Sequence, residues 1–242
     1  MSSEMGKVQG QGDEPLPLNR RRLIRVMLGI PLFCVVFLFL PAGTFAWSRG
    51  WGFLLFCWIM EMRVLVYLER TNPALLAARS HLVYPGTKRW DKVLLSILLP
   101  VVLTIFPLAA MDNQRCQWSA VPWWLSGGGY LLLLFGFWLS TWAGRVNAFA
   151  EPSVRIQTER GQRVIMTGPY AMIRHPIYTA SIGLFFGTAL ALGSYWALLP
   201  ASVASGILIL RTHWEDQTLQ AELDGYQEYT HRVPYKLIPH VW

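Results

Sequence analysis

The chain has 242 residues, of which 53% are hydrophobic and only 14% charged, with a formal net charge of +7. Charged residues stand at about half the frequency of a soluble domain, which argues against an ordinary soluble globular protein and for an all-α, polytopic integral membrane bundle. The basic residues flank apolar runs instead of forming one stripe, so their excess reads as loop bias at a bilayer and not as a nucleic-acid surface.

Residues 1–19 are rich in Gly, Gln, Ser and Pro and read as a disordered tail. Arg20, Arg21, Arg22 and Arg25 then open a first apolar run over 23–45, which carries Pro31 and Pro41. No small-residue cleavage site follows the basic cluster, so this run reads as a retained anchor and not as a signal peptide. The second run, 51–68, holds Glu61 and Arg63 near its middle. Charges at that depth are costly and face a bundle interior or water. Two residues apart, they do not share a helical face. Either each pairs with another helix, or the span ends early, or one of them lines a substrate cavity.

A polar loop follows, in which Asn72-Pro73 starts a short helix and Tyr84-Pro85-Gly86 makes a turn. The third run covers 93–111 and the fourth 122–143. Gly127-Gly128-Gly129 lies in the fourth. A phosphate cradle would need a preceding strand, so the triplet reads as a close helix-packing site. The fifth run, 177–192, and the sixth, 195–210, are joined by Gly193-Ser194. Both are short for about 30 Å of hydrocarbon and read as a helical hairpin. Cys34, Cys57 and Cys116 have no metal-ligand spacing, so neither a disulfide framework nor a metal site is expected.

With about six spans, the Arg- and Lys-rich loops all fall on one side, while the opposite loops hold only Arg49 and Arg115. The positive-inside rule makes the rich side cytoplasmic, with both termini. The chain thus divides into a tail (1–19), a four-span membrane region (20–143) and a C-terminal region (144–242) that carries the densest polar motifs.

Those motifs form two clusters. One is Gly168-Pro169-Tyr170 followed by Arg174-His175-Pro176-Ile177-Tyr178, with Pro176 suited to a first helical turn. The other is Arg211, Glu215 and Asp216, with Arg211 and Glu215 four apart on one helical face. Leu219, Leu223 and Tyr226 can pack that helix down. Asp224-Gly225 should interrupt it, and a short helix from Tyr226 to Arg232 should follow. Residue chemistry alone also allows a structural reading, in which Arg174 snorkels, the tyrosines cap a helix at the interface, and Arg211 and Glu215 form a surface ion pair.

Taken together, these motifs, with Gly225-Tyr226-x-x-Tyr229 and Val233-Pro234-Tyr235, resemble the isoprenylcysteine carboxyl methyltransferase family and its phospholipid methyltransferase relatives. The resemblance covers roughly 157–239. It implies a membrane methyltransferase that uses S-adenosylmethionine (SAM) without a Rossmann domain. By that resemblance Gln157, Val164, Ile165, Tyr170, His175, Pro176, Ile177, Tyr178 and Glu215 line a cytoplasmic SAM pocket. Arg211 meets the acceptor, and Arg174, with Arg211 and Glu215, belongs to the catalytic set. Gln162 stands where the family often has histidine, and Glu215-Asp216 where it usually has paired glutamates.

The residue chemistry fits. Glu215 can pair with the SAM ammonium, tyrosine rings can sit beside a cation, and Arg211 can clamp a carboxylate. Such a nucleophile is already ionised near neutral pH, whereas a thiol would need its pKa lowered. The expected partners are a small or lipid-like methyl acceptor and membrane lipids, with neither nucleic acid nor metal. The acceptor itself stays open among a prenylcysteine carboxylate, another hydrophobic acid, a small thiol and a phospholipid amine. A second reading is a sterol-reductase-like membrane enzyme using NADPH. Its expected Arg-His-x-Asn-Tyr pattern is replaced here by Arg174-His175-Pro176-Ile177-Tyr178. A third is a membrane protein that kept the hairpin and lost catalysis.

Overall fold

The computed structural model describes residues 20–79 and 82–242, so the tail expected over 1–19 lies outside the described residues. No strand occurs among them. Helix α1 (Arg20–Cys34) passes through a π-helical turn, Val35–Phe39, into a last turn, Leu40–Ala42. The ring of Pro41 would press on the carbonyl four residues back, and the widened turn just before it relieves that clash. Helix α2 is Ser48–Thr71. The Asn72 side chain then accepts a hydrogen bond from the Leu75 amide at 3.0 Å, starting α3 (Pro73–Ala78) as expected. Helix α4 (Arg89–Ala110) runs on through Met111–Cys116, and α5 is Trp123–Val146. Helices α6 (Pro176–Ala191), α7 (Leu198–Glu222) and α8 (Tyr226–Arg232) complete the fold.

Six long helices thus occupy the six apolar runs. Ser48–Thr71 and Arg89–Cys116 are long and apolar enough to cross a bilayer; Met27–Ala42 and Pro176–Ala191 are shorter apolar helices. The sixth run extends further than its apolar residues suggested. Helix α7 continues for 25 residues to Glu222 and carries the second polar cluster on its own end. Gly225, at φ 78°, separates it from α8, where the sequence placed the break.

The core joins Leu38 and Phe39 to Phe53, Ile105, Leu133, Leu192 and Ala201. Helix α6 lies directly on α5. A Cβ on Gly129 would stand 2.5 Å from the Ala191 nitrogen, and one on Gly136 would stand 2.9 Å from the Ala180 carbonyl. The packing role expected of the glycine triplet therefore belongs to Gly129, since Gly127 and Gly128 have open space beside them. At the α4 end of the bundle Asp112 is buried and accepts bonds from the Ser119 amide, at 2.9 Å, and from the Ser119 and Ser194 hydroxyls. All three cysteines are free.

Candidate functional site

The two polar clusters meet across a cavity. One wall is the segment 147–165 with the turn Gly168–Ala171 and the head of α6; the other is the end of α7 with α8. The space between them, out to its open mouth, is about 850 Å³, of which about 120 Å³ admits the centres of water molecules. Pro176 begins α6 at a position where its missing N–H costs little, and this puts Ile177 and Tyr178 in the first turn facing the cavity.

Glu215 lines the cavity, and its hydrogen-bond partner is the Tyr178 hydroxyl. The rings of His175 and Tyr178 stack, 5.7 Å apart and 4° from parallel. The next carboxylate, Asp216, points elsewhere. It accepts Arg174 through Nε at 2.8 Å and Nη2 at 3.0 Å, the Tyr226 hydroxyl at 3.0 Å and the Gln220 amide at 2.9 Å. His175 Nε2 and Lys236 Nζ each lie 3.5 Å from it. Burial pushes the Asp216 carboxyl up, but hydrogen bonds from His175 and Arg174 outweigh it and hold the group well below the ordinary carboxylate range.

Arg174 also donates to the carbonyls of Val233 and Pro234 at 2.7 and 3.0 Å. The amides of Arg174 and His175 donate to the carbonyls of Tyr235 and Lys236. Thr179 Oγ1 reaches the Leu237 carbonyl at 2.8 Å. The residues after α8 are thereby fastened onto the motif. Tyr170 closes the far end: its hydroxyl accepts from Asn147 at 2.9 Å, and its carbonyl accepts from the Tyr229 hydroxyl at 2.7 Å. Burial pushes the Tyr170 hydroxyl up to about 12, so it is protonated at neutral pH.

Arg211 stands behind the wall. It is 4% exposed and donates to Asp91 through Nε at 2.6 Å and Nη2 at 3.2 Å, and to the Pro152 carbonyl at 2.6 Å. Asp91 also accepts the Val154 amide at 2.7 Å. Arg211 does not pair with Glu215; it lies over the Tyr178 ring, 5.2 Å from its centroid. This knot ties α4 and α7 to the 152–154 backbone, which forms part of the cavity wall.

The rest of that wall is held by side chains. Gln157 is buried, donates to the Phe149 carbonyl at 2.8 Å and accepts from Arg160 at 2.7 Å. The Gln162 side chain accepts the Gln157 amide at 2.7 Å. Glu151 binds Arg155 and Arg160. Val164 and Ile165 line the cavity, and among the described residues their backbone groups have no hydrogen-bond partner. No three of His, Cys, Asp or Glu gather as metal ligands among the described residues.

Residues 125–223 match the phospholipid methyltransferase family. That family is related to the isoprenylcysteine carboxyl methyltransferases. The matched stretch holds all but the first two residues of α5, the loop after it, α6 and α7, and so both walls up to the start of α8. The chain is also similar to the Delta(14)-sterol reductase of Mus musculus. The two are 31% identical over 125 residues, which covers 46% of this chain and 30% of that protein. The chain thus spans under a third of the length of that curated relative.

Of the residues singled out from the sequence, Gln157, Val164, Ile165, Tyr170, Arg174, His175, Ile177, Tyr178 and Glu215 line the one cavity. Pro176 and Arg211 do not: Pro176 is buried in the first turn of α6, and Arg211 is committed to Asp91. Arg174 lines the cavity, but its guanidinium is bound to Asp216 and the 233–234 carbonyls. Sequence reasoning missed Asp91, Asn147 and Glu151, and gave Asp216 too small a part. Asp91 had one signal: it is the acidic residue in the first turn of an apolar helix. Tyr226 and Tyr229 were quoted as motif, and both prove to line the cavity.

Proposed function

We propose that this protein is an integral membrane methyltransferase that moves a methyl group from SAM to an amphiphilic or lipid-linked acceptor, a carboxylate or thiol such as an isoprenylcysteine-type carboxylate. The observation that carries this reading is Glu215, a carboxylate that lines the open cavity where the two motif clusters meet and whose hydrogen-bond partner among the described residues is the Tyr178 hydroxyl. An anion so placed suits a ligand with positive charge. SAM, when bound, supplies a methyl group on a sulfonium together with an ammonium. Glu215 would hold the ammonium, the stacked His175 and Tyr178 would present aromatic faces to a cation, and the unpaired backbone of Val164 and Ile165 would hydrogen-bond the adenine edge. Arg174 and Arg211 act through the walls: one holds Asp216 and the 233–234 backbone in place, the other holds 152–154.

The proposed topology keeps the six-span bundle, with both termini and this cavity on the cytoplasmic side and the acceptor arriving from the bilayer. The proposed partners remain membrane lipids and the methyl acceptor, with neither nucleic acid nor metal. The test is calorimetric titration of the purified chain with SAM. Glu215→Ala should weaken binding about ten- to hundredfold, the range for losing a hydrogen bond to a charged group, while helix content holds. Unchanged SAM affinity in that variant would sink the assignment.

The similarity to a sterol reductase supports a second reading, an NADPH-dependent membrane oxidoreductase. NADPH brings phosphates, which need cations. Among the described residues, Arg163 is the one cation of the cavity lining without a carboxylate partner; Arg155 is bound to Glu151 and Glu159, and Arg174 to Asp216. Thermal-shift titration with NADPH beside SAM separates the two.

A further inference from the structure

A second, larger cavity lies between α2 and α5 and shares no residue with the first. Its space out to the mouth is about 1740 Å³. Two helical faces build it. Arg63, Tyr67 and Arg70 recur at i, i+4 and i+7 along α2; Trp138, Thr141 and Arg145 recur at i, i+3 and i+7 along α5. Toward the N-terminal side of both helices the lining is apolar, with Met60, Leu134 and Phe137. Toward their C-terminal side it is cationic. Arg63 and Arg70 are about 10 Å apart along the axis at 1.5 Å per residue, and Arg145 sits in the last turn of α5.

These three arginines differ from four that stand around the first cavity. Arg155, Arg160, Arg174 and Arg211 are all bound to carboxylates. Arg63, Arg70 and Arg145 have no hydrogen bond or ion pair among the described residues, and no carboxylate lines the groove. The two nearby acids, Glu61 and Glu69, do not line the groove, and Glu69 is buried. Within a bilayer an unpaired arginine two turns from a helix end is costly. A planar guanidinium is best satisfied there by a bidentate oxyanion. The groove offers an apolar slot for an acyl chain, aromatic side chains near the boundary and three unspent positive charges beside it.

We infer that the α2–α5 groove is a binding site for an anionic phospholipid, with its acyl chain against Phe137 and Trp138 and its headgroup phosphate held by Arg63, Arg70 and Arg145. This rests on the membrane placement proposed above and not on methyl transfer. The phospholipid is proposed as a fixed partner of the bundle; the groove and the cofactor cavity have no lining residue in common.

The experiment is thermal unfolding of the full chain in detergent micelles, titrated with phosphatidylglycerol or with phosphatidylcholine of the same chain length. Phosphatidylglycerol should stabilise the wild-type protein selectively. Arg63→Gln, Arg70→Gln and Arg145→Gln should each raise its half-saturating concentration about fivefold, the weight of one basic residue at an anionic membrane. The triple variant should show no preference between the lipids. Equal stabilisation by the two lipids in wild type, or a preference that survives in the triple variant, overturns the inference. SAM titration of the triple variant supplies the control: affinity equal to wild type shows an intact fold and assigns the lost preference to the groove. Failure of wild type to bind SAM, with the lipid preference intact, would remove the methyltransferase reading and leave this site standing.

Discussion

Replacing Asp91 by alanine removes one carboxylate and strands two donors. Arg211 keeps its bond to the Pro152 carbonyl but loses both bonds to Asp91, and the Val154 amide loses its acceptor among the described residues. Asp91 is fully buried and Arg211 nearly so. Leaving a buried charge without its partner costs about 3–5 kcal/mol. An orphaned amide costs roughly 1–3 kcal/mol, and part of that is already counted in the first figure because both groups share one carboxylate. The expected loss for Asp91→Ala is therefore about 3–5 kcal/mol. Arg211→Met removes the charge and keeps much of the apolar volume, so the double variant should be less destabilised than the sum of the singles, with a coupling of about 2 kcal/mol. Equilibrium unfolding of the four proteins in detergent, followed by circular dichroism, measures the cycle. Strictly additive losses would refute the view that these residues act as one buried unit.

Three further outcomes are expected. Gly129→Ala puts a methyl 2.5 Å from the Ala191 nitrogen and should cost about 1–3 kcal/mol as an overpacked contact, whereas Gly127→Ala has open space and should be neutral or stabilise by up to about 1 kcal/mol; thermal unfolding compares them. Because the native Asp216 carboxyl lies below its unfolded value, its contribution is present above about pH 4 and drains away as the pH falls toward the depressed native value. Acid titration of stability should accordingly be steeper below that pH in wild type than in Asp216→Asn. Tyr229→Phe removes the 2.7 Å bond to the Tyr170 carbonyl and should cost about 1–3 kcal/mol by leaving a buried acceptor unpaired, read from the unfolding midpoint.

Features governed by local chemistry were legible in the sequence. Apolar runs marked the long helices, Pro176 marked the head of α6, Asn72 marked the start of α3, and Asp224-Gly225 marked the break before α8. The meeting of the two motif clusters was also legible, because a helical hairpin of near-equal arms brings its ends together. What escaped was partner choice at long range. Arg211 and Glu215 share a helical face, yet Arg211 binds a residue 120 positions away, and nothing in the spacing encodes that. The roles of Glu215 and Asp216 diverge because adjacent helical residues point about 100° apart, one into the cavity and one into the wall, and sequence cannot say which. The fastening of 174–175 to 235–236 escaped for a similar reason: two isolated backbone bonds leave no side-chain signature.

The backbone-to-backbone seam at Gly129 and Gly136 has a mechanical consequence. At Gly129 the nearest atoms across the seam are all main chain, and at Gly136 the Leu184 side chain and the Ala180 carbonyl fill the gap, so little room is left for α5 and α6 to shift past one another. Tyr178, carried on α6, is fixed by the same seam. The opposite wall is a different material: 147–165 is an irregular strap whose Phe149 and Pro152 carbonyls accept from Gln157 and Arg211, whose Ser153 hydroxyl accepts from Thr87, and whose Val154 donates to Asp91 and accepts from the Lys88 amide. A ligand entering the cavity therefore meets one rigid jaw and one compliant one, and amide hydrogen exchange across 147–165 is where its arrival would register first.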